Sequence, residues 1–449
     1  MNAQSLSSFL GDCKISTLSP MELTDKFYEF RDSVYVCEKG FLSREMASKY
    51  DQFGVYIVLT LNGDDTPIAA IQTYKAEVGE FADMSELPVD RLKSGIVLTR
   101  LMVRKEYRGF GLSGLMLYMA MQQGRRWKRS RAFLYVEQGE MSTRRHLSYE
   151  VIPSLPTFIP TGAQKNKVIP CTQFLEMSMA QCFSQMTPEV KDFLRPYLGQ
   201  EAVDTVNERL DKFFKNPWFK AVYSETMTKH QYIQTLGNLY QFVRLTTRIL
   251  SRAVSLCDDS GMRNHFLEHL NGEIDHEIQI ESDLAQVDST VVDFVKNRMI
   301  PSIPTQQFMV IQESLLAYNH DPLSYVAVPF SIEGFTARLD QKFIQCLENC
   351  LKKWGVQRPA RGVTFFRVHI NSDGGEDGHW ESNKKFLKKY IDTDLRLKKF
   401  INVIHLTMDS LENCYSSYVA EPDFTQISVP LTEFPFIATA ALSPEHLSQ

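Results

Sequence analysis

Two kinds of apolar spacing divide the chain. In the first 185 residues, FYEFRDSVYV spaces its apolar positions as a helix, VYIVLTL and PIAAIQTY read as strands joined at NGDD, and IVLTRLMV reads as a further strand. GLMLYMAMQQGRRW then reads as a helix and AFLYVE as another strand, so this part is α/β. The stretch IPSLPTFIPTGAQKNKVIPCT has too many prolines for a regular helix, and is read as the last strands plus a crossing segment. Helical spacing takes over near Met186, with Thr187 as N-cap and Pro188 at the first helical position. From there to about residue 420 the pattern predicts some seven helices with breaks at CDDSG, HDP and SDGG, an all-α bundle. The expected organisation is residues 1–185, residues 186–420, and an extended tail over 421–449.

Composition narrows the class. At 449 residues the chain exceeds one ordinary core, and 43% hydrophobic with 23% charged residues is the balance of a soluble globular protein. A net charge of −5 gives no reason to expect nucleic acid as a partner, and no run of eighteen apolar residues suggests a membrane span. MNAQSLSSFLGDCK lacks the pattern of a secretory signal, and eight scattered cysteines do not form a disulfide framework, so a reduced cytoplasmic setting is expected. Cys346 and Cys350 lie one helical turn apart, and core packing is the reading for them.

The chemistry-bearing join of the first half is LTRLMVRKEYRGFGLSG. Gly109, Gly111 and Gly114 let backbone approach a ligand, and free N–H groups at a helix start together with Arg108 suit phosphate oxygens. Leu101-Met-Val103 followed by Arg108-Gly-Phe-Gly111-Leu-Ser113 resembles the pyrophosphate loop of the GNAT acyltransferase superfamily, with Ser113 replacing its usual small final residue. The resemblance implies a pantetheine arm alongside Leu101 and Val103 and a pyrophosphate on Arg108, Gly109, Gly111, Ser113 and Gly114, with acyl-CoA or an acyl carrier protein thioester as donor. RRHLSYEVI resembles the segment carrying a tyrosine that protonates the departing thiolate, which makes Tyr149 either that acid or a packed aromatic. Arg31 to Glu38, Lys49-Tyr50-Asp51 and Thr99-Arg100-Leu101 resemble N-acyl amino acid synthases and acyl-homoserine lactone synthases, which acylate an amine. Val97 and Ser48 stand where those relatives often have acidic residues. The basic run Arg125, Arg126, Lys128, Arg129, Arg131 is either a solvated helix end or a surface for a nucleotide phosphate or an acidic carrier protein.

In the second half, His269, Glu273 and His276 are spaced i, i+4, i+7, which on one helix places them within roughly 60° of each other. His369, Asp373 and Glu376 repeat that register, and His379 follows. Glu333 sits alone in the apolar stretch VAVPFSIEGF, where a carboxylate needs a partner or a cation. Imidazoles mixed with carboxylates suit iron or manganese better than a thiolate-rich set does.

Glu273 with His276, Glu333 in Ile-Glu-Gly, and His369 with Asp373 resemble the ligand pattern of the haem-oxygenase-like diiron oxidases. The resemblance implies a haem-oxygenase-like bundle holding two irons on His269, Glu273, His276, Glu333, His369, Asp373 and a last ligand. That ligand is Glu376 or His379, and His379 is favoured if a bulge at Gly374-Gly375 brings it in. Glu333 is then also a catalytic carboxylate, able to shift between one iron and both, and dioxygen is the oxidant. Together the two resemblances imply a bifunctional biosynthetic enzyme for a small amine or amino acid, with an acyltransferase on a metal-free helical domain as the alternative. An acyl carrier protein and a second copy of the chain are open as partners.

Overall fold

The structure is a computed structural model and describes residues 3–38, 52–79, 82, 87–137, 150–152, 168–376 and 378–420. The chain divides into two compact units. One runs up to Leu198 and includes Ile391–Leu395; the other is Gly199–Tyr390 together with the chain from Arg396.

The first unit is built on a seven-stranded sheet of order β1-β2-β3-β4-β5-β7-β6. Its strands are β1 Cys13–Leu18, β2 Val55–Leu61, β3 Asp64–Lys75, β4 Gly95–Val103, β5 Arg131–Glu137, β6 Glu150–Val151 and β7 Val168–Phe174. All neighbours are antiparallel except β4 and β5, which are joined by the Leu112–Arg126 helix as a parallel pair needs a crossover. Both faces of the sheet are buried. Phe27, Phe30, Tyr56, Val58 and Met102 pack together, and Tyr74, Leu92, Val97 and Phe133 form a second cluster. That double burial explains why β2, β3 and β4 read as near-continuous apolar runs.

Two features of this unit differ from expectation. Part of the basic run after the crossover helix turns inward, at Arg125, Arg129 and Arg131, while Arg126 and Lys128 are exposed. Arg125 donates to both carboxylate oxygens of Glu176 at 3.0 Å and to Asp394 at 3.1 Å, and Tyr118 donates to the same Asp394 at 2.7 Å. Arg129 donates to Glu77 at 2.6 Å, and Arg131 lies over the Phe174 ring at 4.3 Å. The helical pattern also begins earlier, with the helix Leu175–Gln185 preceding the one that starts at Pro188.

The second unit is all helical among its described residues, in more segments than the spacing predicts. The stretch expected as one helix over 264–284 is two, Ser260–Gly272 and His276–Asp288, separated where Asp275 adopts a left-handed φ of 68°. The late cluster is likewise split, with Thr364–Asp373 ending at Gly374 and His379–Tyr390 beginning anew, so there is a loop and no π-type bulge. At the centre is Ala327–Thr336, buried on nearly every residue, which is why its sequence is apolar all round. A Cβ on its Gly334 would lie 2.6 Å from the Trp380 ring, so the glycine sets that close approach. No described helix is long and apolar enough to cross a membrane.

One buried carboxylate ties the two split segments together. The Thr364–Asp373 helix has no cap from its own N-cap residue, Val363. Instead Asp283, from His276–Asp288, accepts the N–H groups of Thr364 and Phe365, each at 2.9 Å. Those two donors would otherwise be buried orphans. Asp283→Ala is expected to destabilise the helical unit by about 2–3 kcal/mol, read as a lower unfolding midpoint by far-UV circular dichroism. An unchanged midpoint would show that the cap carries no weight.

Candidate metal centre and glycine turn

Helix ends, rather than helix faces, bring the candidate ligands together. Glu273 is the residue that closes Ser260–Gly272, and His276 is the first residue of the next helix. Asp373 is the last residue of its helix and His379 the first of the one that follows. Each break turns a carboxylate and an imidazole into the same space, and the central Glu333 enters from Ala327–Thr336.

The result is two triads. Glu273, His276 and His369 each offer an atom within 4.8 Å of the others, and so do Glu333, Asp373 and His379. His269 stands between them, its Nε2 3.5 Å from Glu273 and 3.0 Å from Glu333. The His276 and His369 rings are 4.5 Å apart, and those of His269 and His379 are 5.7 Å apart. Thus all seven predicted metal residues converge, while Glu376 is exposed to solvent.

Hydrogen bonds fix the orientation of several of these groups. His369 Nδ1 donates to the Phe365 carbonyl at 2.8 Å, which leaves its Nε2 lone pair for another partner. Asp373 pairs with His379 Nδ1 at 2.9 Å and accepts from the Thr336 hydroxyl. Asn383 donates its amide N–H to one Glu333 oxygen and accepts from His265 Nε2 at 2.8 Å. Asn383 and His265 were not singled out in the sequence, although each lies one helical turn from a candidate ligand, His379 and His269.

The electrostatics show a centre short of positive charge. Burial, with the Asp373 and Glu273 charges added, pushes Glu333 far above the usual carboxylate range. Burial also pushes Glu273 up, but the imidazoles of His269 and His276 more than offset it and hold it low. His369 is lowered by burial, and His379 is raised by its hydrogen bond to Asp373. Glu333 Oε1 has no hydrogen bond, and its near neighbour is the His269 Nε2 ring nitrogen, an ion-pair contact at 3.0 Å. A buried carboxylate oxygen without a donor fits coordination to a cation, and the oxygen and nitrogen donor set fits iron.

In the first unit, β4 and β5 pair only from Gly95 and Arg131 to Leu98 and Leu134. Beyond that register they separate, leaving the part of β4 that carries Leu101 and Val103 unpaired with β5. Arg100, at a φ of 53°, sits where β4 slips against β3. Gly109 and Gly111 have φ of 86° and 80°, and Gly111 opens the Leu112–Arg126 helix with no side-chain cap. The first N–H groups of that helix, at Leu112, Ser113 and Gly114, are thereby available to an anion. Arg108 is held by Glu38 at 2.6 Å and by the Val103 carbonyl at 2.9 Å. Tyr149, Lys49, Tyr50 and Asp51 lie outside the described residues.

No family model matches the chain, and no curated protein does. Among solved structures it is similar to a domain of unknown function with a heme oxygenase-like fold from Shewanella denitrificans, at 15% identity and a TM-score of 0.42 over 49% of this chain and 90% of that one. It is similar to an acyl-CoA N-acyltransferase from Pseudomonas aeruginosa, at 16% identity and a TM-score of 0.28 over 36% of this chain and 99% of that one. A CoA-dependent acyl-homoserine lactone synthase, solved with SAM and isopentyl-CoA, is similar at 11% identity and a TM-score of 0.32 over 38% of this chain and 89% of that one. At such scores both sites stand on their own geometry.

The choice between Glu376 and His379 is open to direct measurement. After anaerobic reconstitution with ferrous iron, Glu376→Ala is expected to keep wild-type metal content by elemental analysis, whereas His379→Ala loses metal. The reverse result would make the exposed carboxylate the ligand.

Proposed function

We propose that the chain is a bifunctional enzyme. Its first unit transfers an acyl group from acyl-CoA or an acyl carrier protein to an amine. Its second unit is a non-haem diiron oxidase or oxygenase that acts on a small amine or amino-acid-derived metabolite, by N-oxygenation, desaturation or C–C cleavage. The observation that carries the second half is the pair of carboxylate and imidazole triads in one core, with a Glu333 oxygen left without a donor.

Glu273, His276 and His369 would hold one iron, Glu333, Asp373 and His379 the other, and His269 stands where it can serve either. Iron on such a set supplies one-electron chemistry with dioxygen. The residues around it do the rest. The Phe365 carbonyl keeps His369 in the tautomer with Nε2 free, and Thr336 holds Asp373 by one oxygen so that the other faces His379. Asn383 restrains one oxygen of Glu333 while the other stays unbonded, which leaves that carboxylate able to change partners. Burial of His269, His276, Glu333, His369 and Asp373 limits bulk water at the reacting centre, and the centre opens to solvent at His379.

For the first unit, the uncapped helix start at Gly111 and the divergence of β4 from β5 support a slot for a pantetheine thioester. Arg108 would exchange Glu38 for pyrophosphate oxygens, and the first N–H groups of the Leu112–Arg126 helix would complete the cradle. Tyr149 is the candidate acid for the departing thiolate.

Two experiments separate the halves. His276→Ala is expected to lower iron content after anaerobic reconstitution and to abolish substrate-dependent oxygen uptake while leaving acyl transfer intact; unchanged iron would remove His276 from the site. Arg108→Ala is expected to lower thiol release from acyl-CoA at limiting donor by about tenfold while iron content stays the same. Equal thiol release by both proteins would mean the glycine turn binds no thioester.

A further inference from the structure

A cavity of about 70 Å³ opens beside the two triads within the helical unit. Because about 10–15 Å³ of such volume admits one water, it has room for roughly five to seven, or for a similar number of linked heavy atoms. One end is formed by His269, Glu273, Glu333, His369 and Asp373. Most of the remaining wall is hydrocarbon, with Leu239, Phe242, Val243 and Leu250 on one helix and Val328 and Ile332 on two turns of the central segment. Water in such a space is poorly held, while an apolar group in it gains from burial.

Five polar side chains interrupt that wall, Thr246, Gln312, Tyr325, Thr336 and Tyr415, and two of them, Gln312 and Tyr325, lie inside it with polar ends that no group among the described residues meets. Gln312 is 4% exposed, lines the cavity, and makes no hydrogen bond among the described residues. Tyr325 lines it too, and its hydroxyl also has no hydrogen bond among them. Burial, together with the charges of Glu273, Glu313 and Glu333, keeps that phenol protonated. An amide and a hydroxyl that face the cavity without a protein partner favour a bound molecule carrying a matching polar group over a purely apolar one. A small, wholly polar amino acid would satisfy those two groups and leave the hydrocarbon uncovered.

Resting on the diiron reading above, we infer that the substrate of the helical unit is an amphiphile. Its apolar body, about six non-hydrogen atoms long, fills the cavity, its metal-ligating end lies at the triads, and an amide-like group between them meets Gln312. Tyr325 donates to the polar end. This assigns Gln312 and Val243 as determinants of specificity and gives the unit a substrate class that the ligand set alone does not.

The test is calorimetric titration of the iron-reconstituted full-length protein with straight-chain carboxylates from acetate to decanoate, with metal analysis of the same samples. Affinity is expected to rise roughly fourfold per added methylene, the gain from burying one CH₂, and to level off near six carbons. In Val243→Trp, whose indole fills the cavity, the rise disappears while iron content stays that of wild type. N-butanoylglycine is expected to bind about tenfold more tightly than heptanoate to wild type, a preference lost in Gln312→Leu. Affinity independent of chain length, in protein that holds its iron, overturns the inference and leaves the metal site standing. An equal preference for the amide in wild type and Gln312→Leu overturns the role of Gln312. Protein that retains no iron overturns the diiron reading and the inference with it.

Discussion

The helical unit depends on how it tolerates three carboxylates in its interior. Glu273, Glu333 and Asp373 lie among packed apolar helices, and ionised carboxylates there are costly unless cations or donors meet them. Three imidazoles, one asparagine, one threonine and one serine answer part of that demand. What stays unanswered is one oxygen of Glu333, on a helix buried at nearly every residue. A pair of divalent cations would convert that deficit into the strongest set of contacts in the core, since their charge would also relieve the mutual repulsion of Glu333, Asp373 and Glu273. The same balance would make metal binding and folding of this unit mutually supportive.

The helix breaks are part of this arrangement. A straight helix through 269, 273 and 276 would project the three side chains over two turns of its own surface. The break at Asp275 instead lets Glu273 end one helix and His276 start another, so that both reach the space that His369 enters from a third. The turn after Asp373 does the same for His379. Asp283 then couples the two halves by capping the helix that carries His369 and Asp373 from the helix that carries His276. Ligand position is therefore controlled by caps and turns, which are sensitive to single residues, more than by the packing of long faces.

How much of this was legible in the sequence follows from which contacts are local. The residue types were legible, because histidines and carboxylates at one-turn spacing, and a lone glutamate in an apolar run, are visible without tertiary information. The way they meet was not. The left-handed residue Asp275 leaves no clear mark in a helical pattern, and Gly374-Gly375 is compatible with a bulge or a loop. Asn383, His265 and Asp283 stayed hidden because their partners lie far away along the chain, from 50 residues for Asn383 to Glu333 up to 118 for His265 to Asn383. In the first unit the alternation of strands and helices was readable, but the divergence of β4 from β5 is a register that only the sheet reveals. The inward turn of Arg125 and Arg129 was hidden for a similar reason, since Glu77, Glu176 and Asp394, which neutralise them, come from elsewhere in the chain.

The central claim is that two cations sit side by side in the core of the helical unit. Anomalous scattering at the iron edge from crystals of anaerobically reconstituted protein tests it most directly. Two peaks are predicted, one against Glu273, His276 and His369 and the other against Glu333, Asp373 and His379. An occupied crystal lattice with no peak in that core, or with peaks only at the protein surface, would contradict it.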